Sequence, residues 1–137
     1  MISTLLLALA LQGSLDAQAR EHHCNDAQNQ MDMNFCAETD FERADAALNA
    51  AWRDAIADAR ASDREIDRQS DQRPTEEAKM REAQRAWLIF RDAQCTVEGY
   101  DESRGGTMEP MVYSGCRARL TRERTAQLRP QPNDAAH

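Results

Sequence analysis

Apolar residues recur on a helical period in three stretches of this chain, and none alternates as a strand would. The first stretch runs from about 38 to 67. Phe41, Ala44, Leu48, Ala51, Trp52, Ala55, Ile56 and Ala59 fall on one stripe, and Glu42, Arg43, Arg53, Asp54 and Arg60 occupy the opposite face. Thr39 or Asp40 is placed to cap its start. The polar run from Gln69 to Pro74 predicts a turn, with Pro74 in the first turn of a second helix and Glu76 and Glu77 at its positive end. Met80, Ala83, Trp87, Phe90 and Ala93 form the expected inner stripe of that helix, with Leu88 beside it. The helix should run to about Val97, with Gly99 as its stop. A linker from Tyr100 to Glu109 bends at Gly105 and Gly106, and Pro110 opens a third helix. Cys116, Leu120 and Leu128 give that helix its inner edge, flanked by Tyr113 and Ala118, and it ends before Pro130. A short helical turn is expected to join Cys24 to Cys36, with Met31, Met33 and Phe35 against the core.

This pattern predicts an all-α fold, a small antiparallel bundle of three main helices plus a short N-terminal helical turn. One domain over 20–130 is expected, followed by a disordered tail at 131–137.

The N-terminal apolar run Leu5–Leu11 is too short to cross a bilayer and suits the apolar region of a signal peptide. Ala17-Gln18-Ala19 gives the small-x-small pattern of a cleavage site, so residues 1–19 are read as a leader. Met1–Thr4 carries no Lys or Arg. Cys24 follows Glu21-His22-His23 rather than a lipid-attachment motif, so no membrane anchor is expected. The protein is therefore placed in the periplasm or outside the cell. All four cysteines, Cys24, Cys36, Cys95 and Cys116, lie beyond the leader, and an even count in an exported domain predicts two disulfides. An antiparallel second and third helix favours Cys95–Cys116 with Cys24–Cys36. The pairing Cys36–Cys95 with Cys24–Cys116 stays open, because the first helix starts near the end of the second.

Composition narrows the function. Of the 137 residues, 17 are Lys or Arg and 24 are Asp or Glu, a net charge of −7. That balance argues against nucleic acid and against anionic membranes, and fits a cationic partner. No phosphate loop or nucleophile elbow occurs. His22, His23 and His137 lie outside the expected core, so neither catalysis nor a cofactor is expected and no metal site is assigned. Cleavage after Ala19 would leave Arg20-Glu21-His22 at the terminus, a pattern able to hold Cu(II) or Ni(II). The polar residues Asp45, Asn49, Arg85, Arg91 and Asp92 read as a structural group. Antiparallel helices bring Asp45 within reach of Arg91, an ion pair that would fix helix register.

Several strings then carry a resemblance. They are Asp45-Ala46-Ala47-Leu48-Asn49 and Gln84-Arg85-Ala86-Trp87-Leu88-Ile89-Phe90-Arg91-Asp92-Ala93-Gln94-Cys95. Gly105-Gly106-Thr107-Met108-Glu109-Pro110-Met111 follows, then Cys116 with Leu120, Thr121, Arg124, Thr125 and Leu128. In this order and spacing, over about 24–128, the chain resembles the DUF1311 family, or LprI-like lysozyme-inhibitor N-terminal domains. The resemblance implies an exported, disulfide-bonded bacterial domain that binds a protein, with a lysozyme or another cationic envelope factor as the expected target. An envelope interaction module without lysozyme inhibition is the alternative. The linker is the expected recognition element, through Tyr100, Arg104, Gly105, Gly106 and Thr107.

Overall fold

The computed structural model describes residues 24–129, in which three helices run up, down and up. These are α1 (Gln30–Arg64), α2 (Glu76–Ser103) and α3 (Glu109–Leu128). Helix α2 runs antiparallel to both of the others, so α1 and α3 lie parallel. Helix α3 packs most extensively on α1, then on α2, and α1 and α2 touch least. The expected leader at 1–19 and the expected tail at 131–137, together with Arg20-Glu21-His22, lie outside the described residues.

Helix α1 begins about two turns before its expected start. Asn29 is its cap, accepting from the Asp32 N–H at 3.0 Å. The expected N-terminal turn is therefore the opening of α1 itself, and Thr39 is buried within the helix rather than capping it. Met31, Met33 and Phe35 do not reach the core; Met31 is 80% exposed. Nothing breaks the helix between Gln30 and Glu38, so it continues although its apolar side chains there point outward. The stripe further along α1 buries Phe41, Ala44, Leu48, Ala51, Ile56 and Ala59, while Trp52 and Ala55 are half-buried.

The turn after α1 is held by its own side chains. Asp67 accepts from the Gln69 N–H, and Asp71 accepts from the Arg73 backbone and guanidinium. Helix α2 starts at Glu76 with Thr75 as its cap, so Pro74 precedes the cap instead of sitting in the first turn. A second cap comes from the preceding helix: the Asp63 carboxylate accepts from Glu76 N–H at 2.8 Å and Glu77 N–H at 3.0 Å. Gly99 does not stop α2, which continues to Ser103. A Cβ at Gly99 would stand 3.3 Å from Glu109 Cγ and 3.9 Å from Tyr113 Cβ, so this glycine permits close approach of α3. The chain turns at Gly105, whose φ of 72° suits glycine. Pro110 sits in the first turn of α3, as expected.

Two disulfides close the structure, Cys24–Cys36 and Cys95–Cys116, each with Cα atoms 5.4 Å apart. The pairing follows from the antiparallel course of α2 and α3. Cys95, Cys116 and Leu120 form one core cluster with Trp87 and Tyr113 packed against it, and Phe41, Ala44 and Ala118 form another.

Arg60 donates to Glu77 from both Nε and Nη2 at 2.9 Å, and Arg81 shares the same carboxylate. These hydrogen bonds, Arg60 first and then Arg81, hold the Glu77 carboxyl down to about 2 from its ordinary 4.5. Glu77 therefore stabilises the fold above about pH 4.5, and that contribution disappears as pH falls towards 2. Glu77→Gln should lower the melting temperature modestly at pH 7, with the gap to wild type closing between pH 4.5 and 2. A gap independent of pH in a thermal-melt series would contradict this ion pair.

Candidate functional site

Arg91 lies at the meeting point of the three helices and is only 6% exposed. Its neighbours come from every helix. Nη1 stands 3.5 Å from Asp45 Oδ1 on α1, Nε donates to Asp92 Oδ1 at 2.8 Å within α2, and Nη1 approaches Thr121 Oγ1 on α3 at 3.4 Å. The guanidinium also faces the rings of Phe41 at 5.1 Å and Trp87 at 5.3 Å. Asn49 donates to Asp45 at 3.2 Å and steadies that carboxylate. The structure thus brings together four of the five polar residues singled out in the sequence.

Arg85 is not among them. It is exposed at a shallow cleft of about 200 Å³ between α1 and α2, lined by Trp52, Arg81, Gln84 and Arg85. The helical period explains the separation, because Arg85 and Arg91 lie on different faces of α2. The same geometry turns the expected inner stripe of α2. Met80 and Trp87 are half-buried, but Ala83, Leu88, Phe90 and Ala93 are exposed, and the inward positions are taken by Gln84, Arg91 and Cys95.

A second, half-buried cation has no clear signal in the sequence. Arg117 on α3 lies over Phe41 at 3.8 Å and Tyr113 at 4.5 Å. Its Nη2 donates to Glu38 Oε2 at 2.6 Å, and Ser114 donates to the same oxygen at 2.6 Å. Its Nε is buried with no hydrogen-bond partner among the described residues, and aromatic faces stand beside it. Phe41 therefore receives Arg91 and Arg117. The only sequence signal for this arrangement is an arginine three residues before a buried leucine, which is too common to find it.

The expected recognition linker is shorter than its boundaries, since Tyr100 to Ser103 belong to α2. Arg104 stacks on Tyr100 at 4.4 Å, and both are exposed. Gly105 donates to the Glu109 carboxylate, and Gly106 donates to Ser103 O at 2.8 Å. Asn34 on α1 donates to the Thr107 carbonyl at 3.0 Å. The loop is tethered by Cys95–Cys116 behind it and by α1 beside it, so Tyr100, Arg104, Gly105, Gly106 and Thr107 are presented on a fixed frame.

Among the described residues, no group of three or more His, Cys, Asp or Glu side chains is placed to hold a metal ion. No helix among them is long and apolar enough to cross a membrane.

These features define a class: a helical domain stapled by two disulfides, with a polar core and a braced loop at one end. The model of the family described as lysozyme inhibitor LprI matches residues 22–128, and the chain belongs to that family. It is also similar to the uncharacterized protein R02472 of Rhizobium meliloti (strain 1021), at 45% identity over 125 residues, covering 91% of this chain and 89% of that protein. No solved structure matches.

Arg91→Ala should destabilise the fold by about 2–5 kcal/mol, because it empties a packed site against Phe41 and Trp87 and removes the hydrogen bonds to Asp92 and Thr121. Asp45→Asn should cost about 1 kcal/mol or less, since Asp45 is 38% exposed and Asp92 remains. Urea unfolding of both variants checks this order, and equal losses would contradict it.

Proposed function

We propose that this chain is an exported, non-enzymatic binding protein that inhibits a lysozyme or a similar cationic envelope factor. The family match over residues 22–128 carries the reading, and two disulfides with the N-terminal apolar run Leu5–Leu11 support export. The contact element is the end of the bundle that carries Tyr100, Arg104, Gly105, Gly106 and Thr107. Bracing by Cys95–Cys116 and by Asn34 limits the entropy lost on binding. Glycoside hydrolases work through paired carboxylates, and Arg104, which has no carboxylate partner among the described residues, supplies a donor for such a pair. The acidic body, net charge −7, steers the approach of a cationic enzyme. The exposed Ile89, Phe90 and Val97 on α2 favour the second reading, an envelope interaction module without lysozyme inhibition.

The test is binding of oxidised residues 20–137 to c-type, g-type and i-type lysozymes at low and at physiological salt, with lysis assays in parallel. Inhibition that survives physiological salt, and falls at least tenfold on combined Tyr100→Ala and Arg104→Ala, is the expected result. Unchanged inhibition by that variant would rule out the loop. Binding that vanishes with salt would reduce the interaction to general charge attraction.

A further inference from the structure

The cleft between α1 and α2 has a chemistry that neither the fold nor the proposed inhibition uses. Trp52 comes from α1, and Arg81, Gln84 and Arg85 come from successive turns of α2. Its unengaged polar groups are hydrogen-bond donors. Arg85 has no hydrogen bond and no carboxylate within ion-pair distance among the described residues. The Trp52 indole N–H likewise meets no acceptor there. Gln84 Oε1 is occupied, accepting from Arg124 Nε at 3.0 Å, which leaves the amide Nε2–H₂ as its free function.

The charge around the cleft is unbalanced in the same sense. Arg60 and Arg81 divide the single Glu77 carboxylate between them. Arg124, behind Gln84, pairs only with the amide oxygens of Gln84 and Gln127, and burial pushes its guanidinium below the ordinary value. Arg85 has no ion-pair partner among the described residues; the nearby Glu82, whose carboxyl is lowered by Lys79 first and by Arg85 as well, is bonded to Lys79. In a chain of net charge −7, this is a local excess of cations around a hollow lined by donors. Such a site takes an acceptor-only anion. The about 200 Å³ of space is below the range of drug-sized pockets and matches one ring rather than a chain of them. An indole wall supplies the apolar surface against which the C–H face of a sugar ring lies.

We propose that the Trp52–Arg85 cleft binds a sugar acid, a pyranose carrying a carboxylate, with Arg85 and the Gln84 amide donating to the carboxylate and Trp52 flanking the ring. The site lies on the α1–α2 side of the bundle, away from the braced loop, and does not rest on lysozyme inhibition.

The test is a titration of the oxidised protein, labelled at tryptophan nitrogen, with glucuronic acid, followed by the indole N–H signals. The Trp52 signal should shift and saturate while that of Trp87 stays in place. Glucose, which replaces the carboxylate by a hydroxymethyl group, should bind at least tenfold more weakly. Arg85→Ala should weaken glucuronic acid at least tenfold, and Arg85→Gln, which keeps most of the bulk, should do the same. Arg85 is exposed and makes no contact on which folding depends, so melting temperature should be unchanged in both variants. Equal response to glucose and glucuronic acid, or an unmoved Trp52 signal, would overturn the site. Acetate binding as tightly as glucuronic acid would overturn the assignment of a sugar ring.

Discussion

One guanidinium holds the geometry of this small bundle together. Arg91 reaches Asp45 on α1, Asp92 on its own helix and Thr121 on α3, and it faces Phe41 and Trp87. A domain of this size, with few aromatic residues, has little apolar area to bury. It uses a cation where a larger protein would use a leucine. A buried cation is costly unless it is paired, so its partners fix the relative positions of the helices more narrowly than apolar contact would. Arg117 repeats the device two turns away, with Glu38 and Ser114 as partners and Phe41 as the shared ring.

The rest of the frame reinforces these contacts. Cys95–Cys116 joins α2 to α3 beside Arg91, and Gly99 lets the two helices approach one turn further on. At the other end, Asp63 and Thr75 cap α2, and Glu77 is shared by Arg60 and Arg81. Helix α2 is thus pinned at both ends and in the middle. The pinned end presents the Tyr100–Thr107 segment, and the side where α1 and α2 touch least leaves the Trp52–Arg85 cleft.

Much of this was legible in the sequence, for identifiable reasons. The stripe from Phe41 to Ala59 is regular and apolar, and it marks the buried face of α1. The antiparallel course of α2 and α3 favours the observed disulfide pairing without excluding its rival, and that of α1 and α2 brings Asp45 towards Arg91. The inward line of helix α2 passes through Gln84, Arg91 and Cys95, while Phe90 and Ala93 face outward and Leu88, beside that line, stays 37% exposed. Apolar periodicity assigns such a helix the wrong face. The start of α1 escapes the apolar pattern for a related reason: Met31 and Phe35 are outward-facing members of a helix whose cap, Asn29, lies before any core residue. Gly99 has the position of a helix stop, although its use is close packing of α3. The Trp52–Arg85 cleft was invisible, because its residues lie on two helices and none is unusual alone.

Hydrogen exchange of the amides, compared between the wild-type chain and Arg91→Met, tests the central role of Arg91 most directly. Methionine keeps the apolar stem of the side chain and removes its charge and its hydrogen bonds. If Arg91 couples the three helices, amides around Leu48 on α1, Cys95 on α2 and Thr121 on α3 lose protection together, by a similar factor. Loss confined to α2, with α1 and α3 protected as in the wild type, would contradict the account.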